Sequence, residues 1–253
     1  MNPHKLTQHC CLKLPLHLCL KVTLHLFLSL IPVLLAAEIS FAKAPRGGRL
    51  AIVVDERLAA LRREPQLCAR LIKRLGRGRK VAIRASRTTP EGIVFFLVNV
   101  TSRTHGWIQR EAVVSASRKG DDRFLFDLIK ASDGFDQVAR SRIFLDHFPR
   151  SPLRPQVLLT LGNTAEDLAE KLSREAAKRL NGTMVNAPEF SYYMNYTGLD
   201  RYNRQRVHFV FKRATRRFHY DGAGWRELVR RYPKTAEAAE ARKHLAQLAA
   251  ISQ

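Results

Sequence analysis

A thiol beside an imidazole gives a nucleophile and its base, and the pair this chain would bring to wall-peptide hydrolysis is Cys68 with His105. Both fall within one short segment of β character that leaves no separate catalytic domain, so Cys68 reads instead as a small buried side chain. Other catalytic templates fail on spacing. Gly76-Arg77-Gly78 lacks the third glycine of a dinucleotide turn and does not open a helix; no phosphate loop, Gly-x-Ser-x-Gly elbow or His-Glu-x-x-His pattern occurs. Ser40-Phe41-Ala42-Lys43 has the Ser-x-x-Lys form but stands where a leader peptide would be cut. Among Asp121, Asp122, Glu166 and Glu170, an acid–base pair could arise only through tertiary folding. His105, His147, His208, His219 and His244 are too scattered to form a metal motif. The expectation is a protein that is not an enzyme and uses no cofactor or metal.

Charge is the stronger signal. The chain has 253 residues, enough for a real core, with 45% hydrophobic and 26% charged residues, which excludes wholesale disorder and a polytopic membrane protein. Lys and Arg number 44 against 22 Asp and Glu, a net charge of +22, and 31 of the 44 are Arg. Such an excess bears on partners and not on fold. Arg62, Arg63, Arg70, Lys73, Arg74, Arg77, Arg79 and Lys80 crowd one short segment with few acids nearby. Arg74, Arg77 and Arg79 are its candidate ligand contacts, with Phe95 and Trp107 as aromatic candidates. Trp107 reads first as a core aromatic and second as a ligand platform. Arg213, Arg216 and Arg217 read as a solvated face.

Residues 1–42 differ from the remainder. Lys5, Lys13 and Lys21 make a positive front, Val22 to Ala37 is an apolar run, and Ser40-Phe41-Ala42 places small residues at a cleavage site. This pattern reads as a signal peptide, with a mature end at Lys43 or near Glu38. The run is shorter than the ~20 residues of a spanning helix, so a membrane enters only if the leader stays uncleaved. Cys10, Cys11 and Cys19 precede or open the run, which gives no lipidation site. Removing the leader leaves Cys68 as the one cysteine, and 41 basic residues against 21 acidic ones.

From Leu50 to about Val114, short stretches rich in β-branched and aromatic residues alternate with turns. The stretches are 50–54, 81–83, 93–98 and 107–108; the turns are Gly76-Arg77-Gly78, Thr89-Pro90-Glu91-Gly92 and Thr104-His105-Gly106. Several short strands in so little chain point to a small β-barrel. Four pieces stand in order: Ala60-Leu61-Arg62-Arg63-Glu64-Pro65, then residues 71–81 with Leu75-Gly76 and Val81, then Phe95-Phe96-Leu97-Val98, then His105-Gly106-Trp107-Ile108. Their order and spacing resemble the bacterial SH3-like domains of cell-envelope proteins, with that family's "LxVR…P", "xLxxGxxV", "WxxV" and "GWI" segments. Ala60-Leu61-Arg62 replaces the family's usual Asn-Val-Arg, and Phe95 stands where Trp is frequent. The resemblance covers about a quarter of the chain and implies a wall or protein ligand.

After Ser115 helical spacing takes over. Asp121 reads as the cap of a helix carrying Phe124, Leu125, Leu128 and Ile129, a second helix runs toward Asp146, and Ala165, Leu168, Ala169, Leu172, Ala176 and Leu180 mark a third that Asn181-Gly182 stops. Ser141, Phe144, Leu145 and Phe148-Pro149-Arg150-Ser151 recur 84 residues later as Trp225, Leu228, Val229 and Tyr232-Pro233-Lys234-Thr235. Each copy reads as helix, aromatic-Pro break, hydroxyl cap and helix. The motif resembles tetratricopeptide-like hairpins, which stack to bury a continuous core. Residues 181–224 read as an irregular insertion whose Phe190, Tyr192, Tyr193, Tyr196 and Tyr202 pack the outer helices.

The expected class is therefore α+β: a signal peptide at 1–42, an SH3-like β-barrel at 43–117, and a tetratricopeptide-like helical region at 118–253, docked or loosely linked. The expected function is a non-catalytic binding or scaffold protein of the periplasm or cell envelope, with a cell-wall or envelope-protein partner. The alternatives are an exported Arg-rich binder of anionic polymer or lipid, and an accessory of a peptidoglycan-remodelling enzyme. Export argues against nucleic acid.

Overall fold

The computed structural model describes residues 48–180, 198–212 and 215–251. The leader, Arg213, Phe190, Tyr192, Tyr193 and Tyr196 lie outside them. The β half contains β1 (Arg49–Val53), β2 (Ala60–Arg62), β3 (Leu71–Arg74), β4 (Lys80–Thr88), β5 (Val94–Asn99), β6 (His105–Gln109), a 3₁₀ turn (Arg110–Ala112) and β7 (Val113–Val114). These strands form one antiparallel sheet in the order β3-β2-β6-β5-β4-β1-β7. The sheet is not a closed barrel, because the outermost strands β3 and β7 do not pair with each other. Strand β7 has only two residues, too few to carry a closing ladder.

The turns follow their residues. Gly92 N–H donates to the Thr89 carbonyl at 2.9 Å, closing the β4–β5 hairpin where the Thr-Pro-Glu-Gly string stands. The turn expected at Thr104-His105-Gly106 comes earlier, with Val100 N–H donating to the Thr104 carbonyl; His105 and Gly106 already belong to β6.

Strand β1 has two buried faces. Ala51 and Val53 enter the core of the β half with Leu61, Val81, Phe96, Val98 and Ile108. Ile52, and Val54 just past the strand's end, point the other way, into the core of the helices, and β7 repeats the division with Val113 and Val114. Burying Ile52, Val54 and Val114 there contributes about 1.5–3 kcal/mol each. The two halves are docked on a shared wall, and the loosely linked alternative does not hold.

The helices are α1 (Asp121–Lys130), α2 (Gly134–His147), α3 (Arg154–Leu180), α4 (Leu199–Asn203), α5 (Ala223–Arg231) and α6 (Ala236–Ala250). Asp121 does not cap α1. Gly120 occupies the cap with φ +86°, and the buried Asp121 carboxylate accepts from Ser115 N–H at 2.7 Å and from Arg118 Nε. It thereby ties the end of β7 to the first turn of α1. Helix α3 presents the expected stripe, with Ala165, Leu168, Ala169, Leu172 and Ala176 all buried, and α2, α5 and α6 pack along it.

Residues 198–212 and 215–222 are more regular than an insertion. They hold α4 and a hairpin of β8 (Phe209–Lys212) and β9 (Arg217–Tyr220), whose Phe211 and Phe218 cover Ala169, Leu172 and Ala176. Ser173 Oγ accepts from Phe218 N–H at 2.7 Å, joining the hairpin to α3. Tyr202 is buried, edge-on to Phe135 and Phe209.

Both copies of the repeat form packed helical pairs. Helices α2 and α5 each stop just before the aromatic-Pro pair, at His147 and Arg231. Thr235 Oγ1 accepts from Ala238 N–H at 3.2 Å, the expected cap of α6. Ser151 Oγ accepts from Leu153 N–H at 3.3 Å, just before α3, and also donates to Asp122 Oδ2 at 2.7 Å. Arg154, 5% exposed, joins the two pairs: Nη1 donates to the Leu145 carbonyl at 2.7 Å and Nε to the Tyr232 hydroxyl at 3.2 Å. Trp225 is buried against His244, stacked at 4.6 Å, and its Nε1 donates to Asn163 Oδ1 at 3.2 Å. Gly162 makes room for the indole, since a Cβ there would lie 2.2 Å from Trp225 Nε1.

Trp225→Ala is expected to cost on the order of 3–5 kcal/mol in chemical denaturation of the full chain. Gly162→Ala is expected to destabilise it independently, and the double variant should lose less than the sum, because both changes act on one contact.

Candidate functional site

Alternation along β5 and β6 creates an outward face. Phe96 and Val98 go into the β core, while Phe95 and Leu97 lie on the other side; on β6, Gly106 and Ile108 go in and Trp107 goes out. Register pairs Leu97 with Trp107 and Phe95 with Gln109. Gly106 permits close approach of β2 and β3, because a Cβ there would meet the Arg62 carbonyl oxygen at 2.7 Å and Ile72 Cδ1 at 3.0 Å.

Two open depressions lie on this face. One, of about 590 Å³, has Ile72, Leu97 and Trp107 as its apolar residues and Arg63, Arg103 and His105 as its basic ones. No carboxylate lines it. The other, a groove of about 1150 Å³, runs between the loop Glu64–Cys68 and the β4–β5 hairpin, with Phe95 among its lining. Its charges are mixed: Arg87 with Glu64 and Glu91. Thr89 hydrogen-bonds the Glu91 carboxyl and holds it below the usual carboxylate range.

The structure separates the sequence candidates. Trp107 is half-buried and available on the face, where a fully closed core ring was the first expectation. Phe95 is 0% exposed and supports the groove without presenting its ring. Arg74 and Arg79 are exposed and form no ion pair with described residues. Arg77 is engaged elsewhere: its side chain is 11% exposed, with Nη1 2.9 Å from Asp136 Oδ1 on α2 and Nη2 3.7 Å from Glu56. It is a strut between the halves.

Around that strut, Arg140, 3% exposed, lies 3.5 Å from Asp55 Oδ2, and its Nε donates to the Val54 carbonyl at 3.3 Å. Burial pulls the Arg140 guanidinium down, and neighbouring Arg77 adds to the effect. The Arg57 guanidinium holds Asp55 below the usual carboxylate range, and the Arg77 guanidinium does the same for Asp136.

The suspected catalytic groups do not assemble. Cys68 is exposed, contrary to the expected buried thiol, because it stands on the loop between β2 and β3 and not on a core strand. It lines the groove, whereas His105 lines the Trp107 depression. The four carboxylates are occupied separately: Asp121 by Ser115 and Arg118, Asp122 by Ser151, Glu166 by His219 Nδ1 at 3.2 Å and Tyr220 N–H at 2.9 Å, and Glu170 by Arg174. Among the described residues no group of three His, Cys, Asp or Glu is placed to hold a metal ion. No described helix is long and apolar enough to cross a membrane. Sequence reading missed Arg103, Ile72 and Leu97 at the Trp107 depression. Arg103 carried no signal, since only the β5–β6 turn brings it there.

Comparison with protein-family models, curated proteins and solved structures finds no match to this chain.

The depressed carboxyls set a pH dependence. Asp55 and Asp136 titrate below their unfolded value of about 4, so the stability they contribute is complete above about pH 5 and is lost as pH falls through their folded pKa. Denaturation midpoints measured across the acid range should fall less steeply for Asp136→Asn and Arg77→Gln than for the parent. Arg74→Ser should follow the parent.

Proposed function

We propose that this chain is a non-catalytic binding and scaffold protein of the cell envelope. Its β half takes a wall or protein ligand on the β5–β6 face, and its helical half meets a protein partner. The observation that carries this reading is the Trp107 depression: a half-buried indole beside Leu97 and Ile72, edged by Arg63, Arg103 and His105 with no acid among them. An aromatic platform with a basic rim favours ligands that join an apolar body to negative charge.

Support for an SH3-like β half is the placement of the four resembling segments. They fall on β2, on β3 with its following turn, on β5 and on β6, and the Gly-Trp-Ile strand lies between β2 and β5. Support for a tetratricopeptide-like helical half is the pair of packed hairpins joined by Arg154 and Tyr232. The leader-like residues 1–42 are the basis for an exported location.

A second reading, binding of anionic envelope polymer or lipid, is favoured by Arg70, Lys73, Arg74, Arg79 and Lys80, all exposed on or beside β3 and its turn. The full chain should be retained on peptidoglycan and envelope fractions at both low and high salt. Trp107→Ala should weaken retention about tenfold, equivalent to about 1.4 kcal/mol. Arg74→Ser with Arg79→Ser should mainly lower the salt dependence. Unchanged binding by Trp107→Ala, with binding abolished in the double Arg variant, would replace the first reading with the second.

A further inference from the structure

We propose that β3 is a docking edge for an extended acidic peptide, which adds to the sheet as an eighth strand. The inference builds on the binding reading above and names the partner chemistry and the mode of contact. Strand β3 is outermost in the sheet: β2 pairs with one side, and no described strand pairs with the other. All four of its residues are exposed. Strand β3 pairs with β2 through a register shift opposite Leu61 and Arg62, and the residues whose N–H and C=O turn away from β2 give this edge unused donors and acceptors. Peptides exploit such edges by backbone pairing, with side-chain pockets supplying selectivity.

The side chains select the occupant. Lys73 and Arg74 lie on the strand and Arg63 and Arg70 flank it, and none of the four forms an ion pair with described residues. A second copy pairing edge to edge would set Lys73 and Arg74 against the same charges, which is destabilising, whereas an acidic chain meets opposite charge. Ile72, 42% exposed, also lines the Trp107 depression. An added strand that alternates acidic and apolar residues therefore places an acid opposite Lys73 and an apolar residue beside Ile72, with Arg63, Arg70 and Arg74 adding positive charge around it. The same cations that attract an acidic strand keep the edge from self-association.

The test uses the full chain and a capped hexapeptide alternating Glu and Val, with amide hydrogen exchange read by NMR. The peptide should slow exchange of those amides within 71–74 that turn away from β2. N-methylating its backbone at one parity should weaken binding at least about tenfold, while the other parity retains it. A Lys-Val peptide should not bind. Binding without protection in 71–74, equal binding by both N-methyl parities, no binding, or dimerisation through this edge in sedimentation without peptide would each overturn the proposal. Trp107→Ala separates the two readings: protection at 71–74 that persists in this variant supports the edge even where retention on envelope fractions proves independent of Trp107.

Discussion

The structure depends on a strand that is buried on both faces. Ala51 and Val53 close the β core while Ile52 and Val54 belong to the helical core, so β1 is a partition and not an outer wall. A one-residue slip would exchange the two sets, and register is held accordingly. Antiparallel pairing to β4 on one side and β7 on the other fixes it, and Ser115 Oγ adds a bond of 2.6 Å to the Leu50 carbonyl. Because the helices take the far side of β1 and β7, the sheet is left with its free face at β5 and β6. The candidate ligand face is therefore a consequence of where the helices dock.

The same arrangement sorts the arginines. Arg77, Arg118, Arg140 and Arg154 are drawn into the boundary or the helical core, where each meets carbonyl or carboxylate oxygens from more than one segment. A planar guanidinium with five donors suits that work better than an ammonium, which bears on the predominance of Arg over Lys in this chain. Removing one partner from such a buried set costs more than the pair contributes, because a charge is left without compensation. Arg70, Lys73, Arg74, Arg79 and Lys80, on or beside β3 and its turn, remain exposed.

Helix α3 plays for the helical half the part that β1 plays for the boundary. Its first turns receive α2 and Trp225, and its later turns receive Phe211 and Phe218 of the β8–β9 hairpin. A long helix with small residues at its contacts lets unlike elements approach it: Gly162 admits an indole, and Ala169 and Ala176 admit a hairpin. The two helical pairs are thus held together through α3 and the Arg154–Tyr232 hydrogen bond.

Much of this was legible in the residues themselves. Periodicity of 3.6 in 165–180, the aromatic-Pro breaks at Phe148-Pro149 and Tyr232-Pro233, and the turn at Thr89–Gly92 are local effects of side-chain spacing and backbone stereochemistry, so they could be read without the fold. The run Leu50-Ala51-Ile52-Val53-Val54 was legible as a strand, but its burial on both faces from Ala51 onward came from the docking of the helices, and Leu50 stays exposed. What tertiary structure alone decided was the fate of groups whose surroundings come from distant segments. Asp121 became a buried clamp, Arg77 a strut to Asp136, Cys68 an exposed loop residue, and Trp107 a neighbour of Arg103 and Ile72. Exposure and charge pairing depend on what the rest of the chain brings alongside, and no local pattern holds that information.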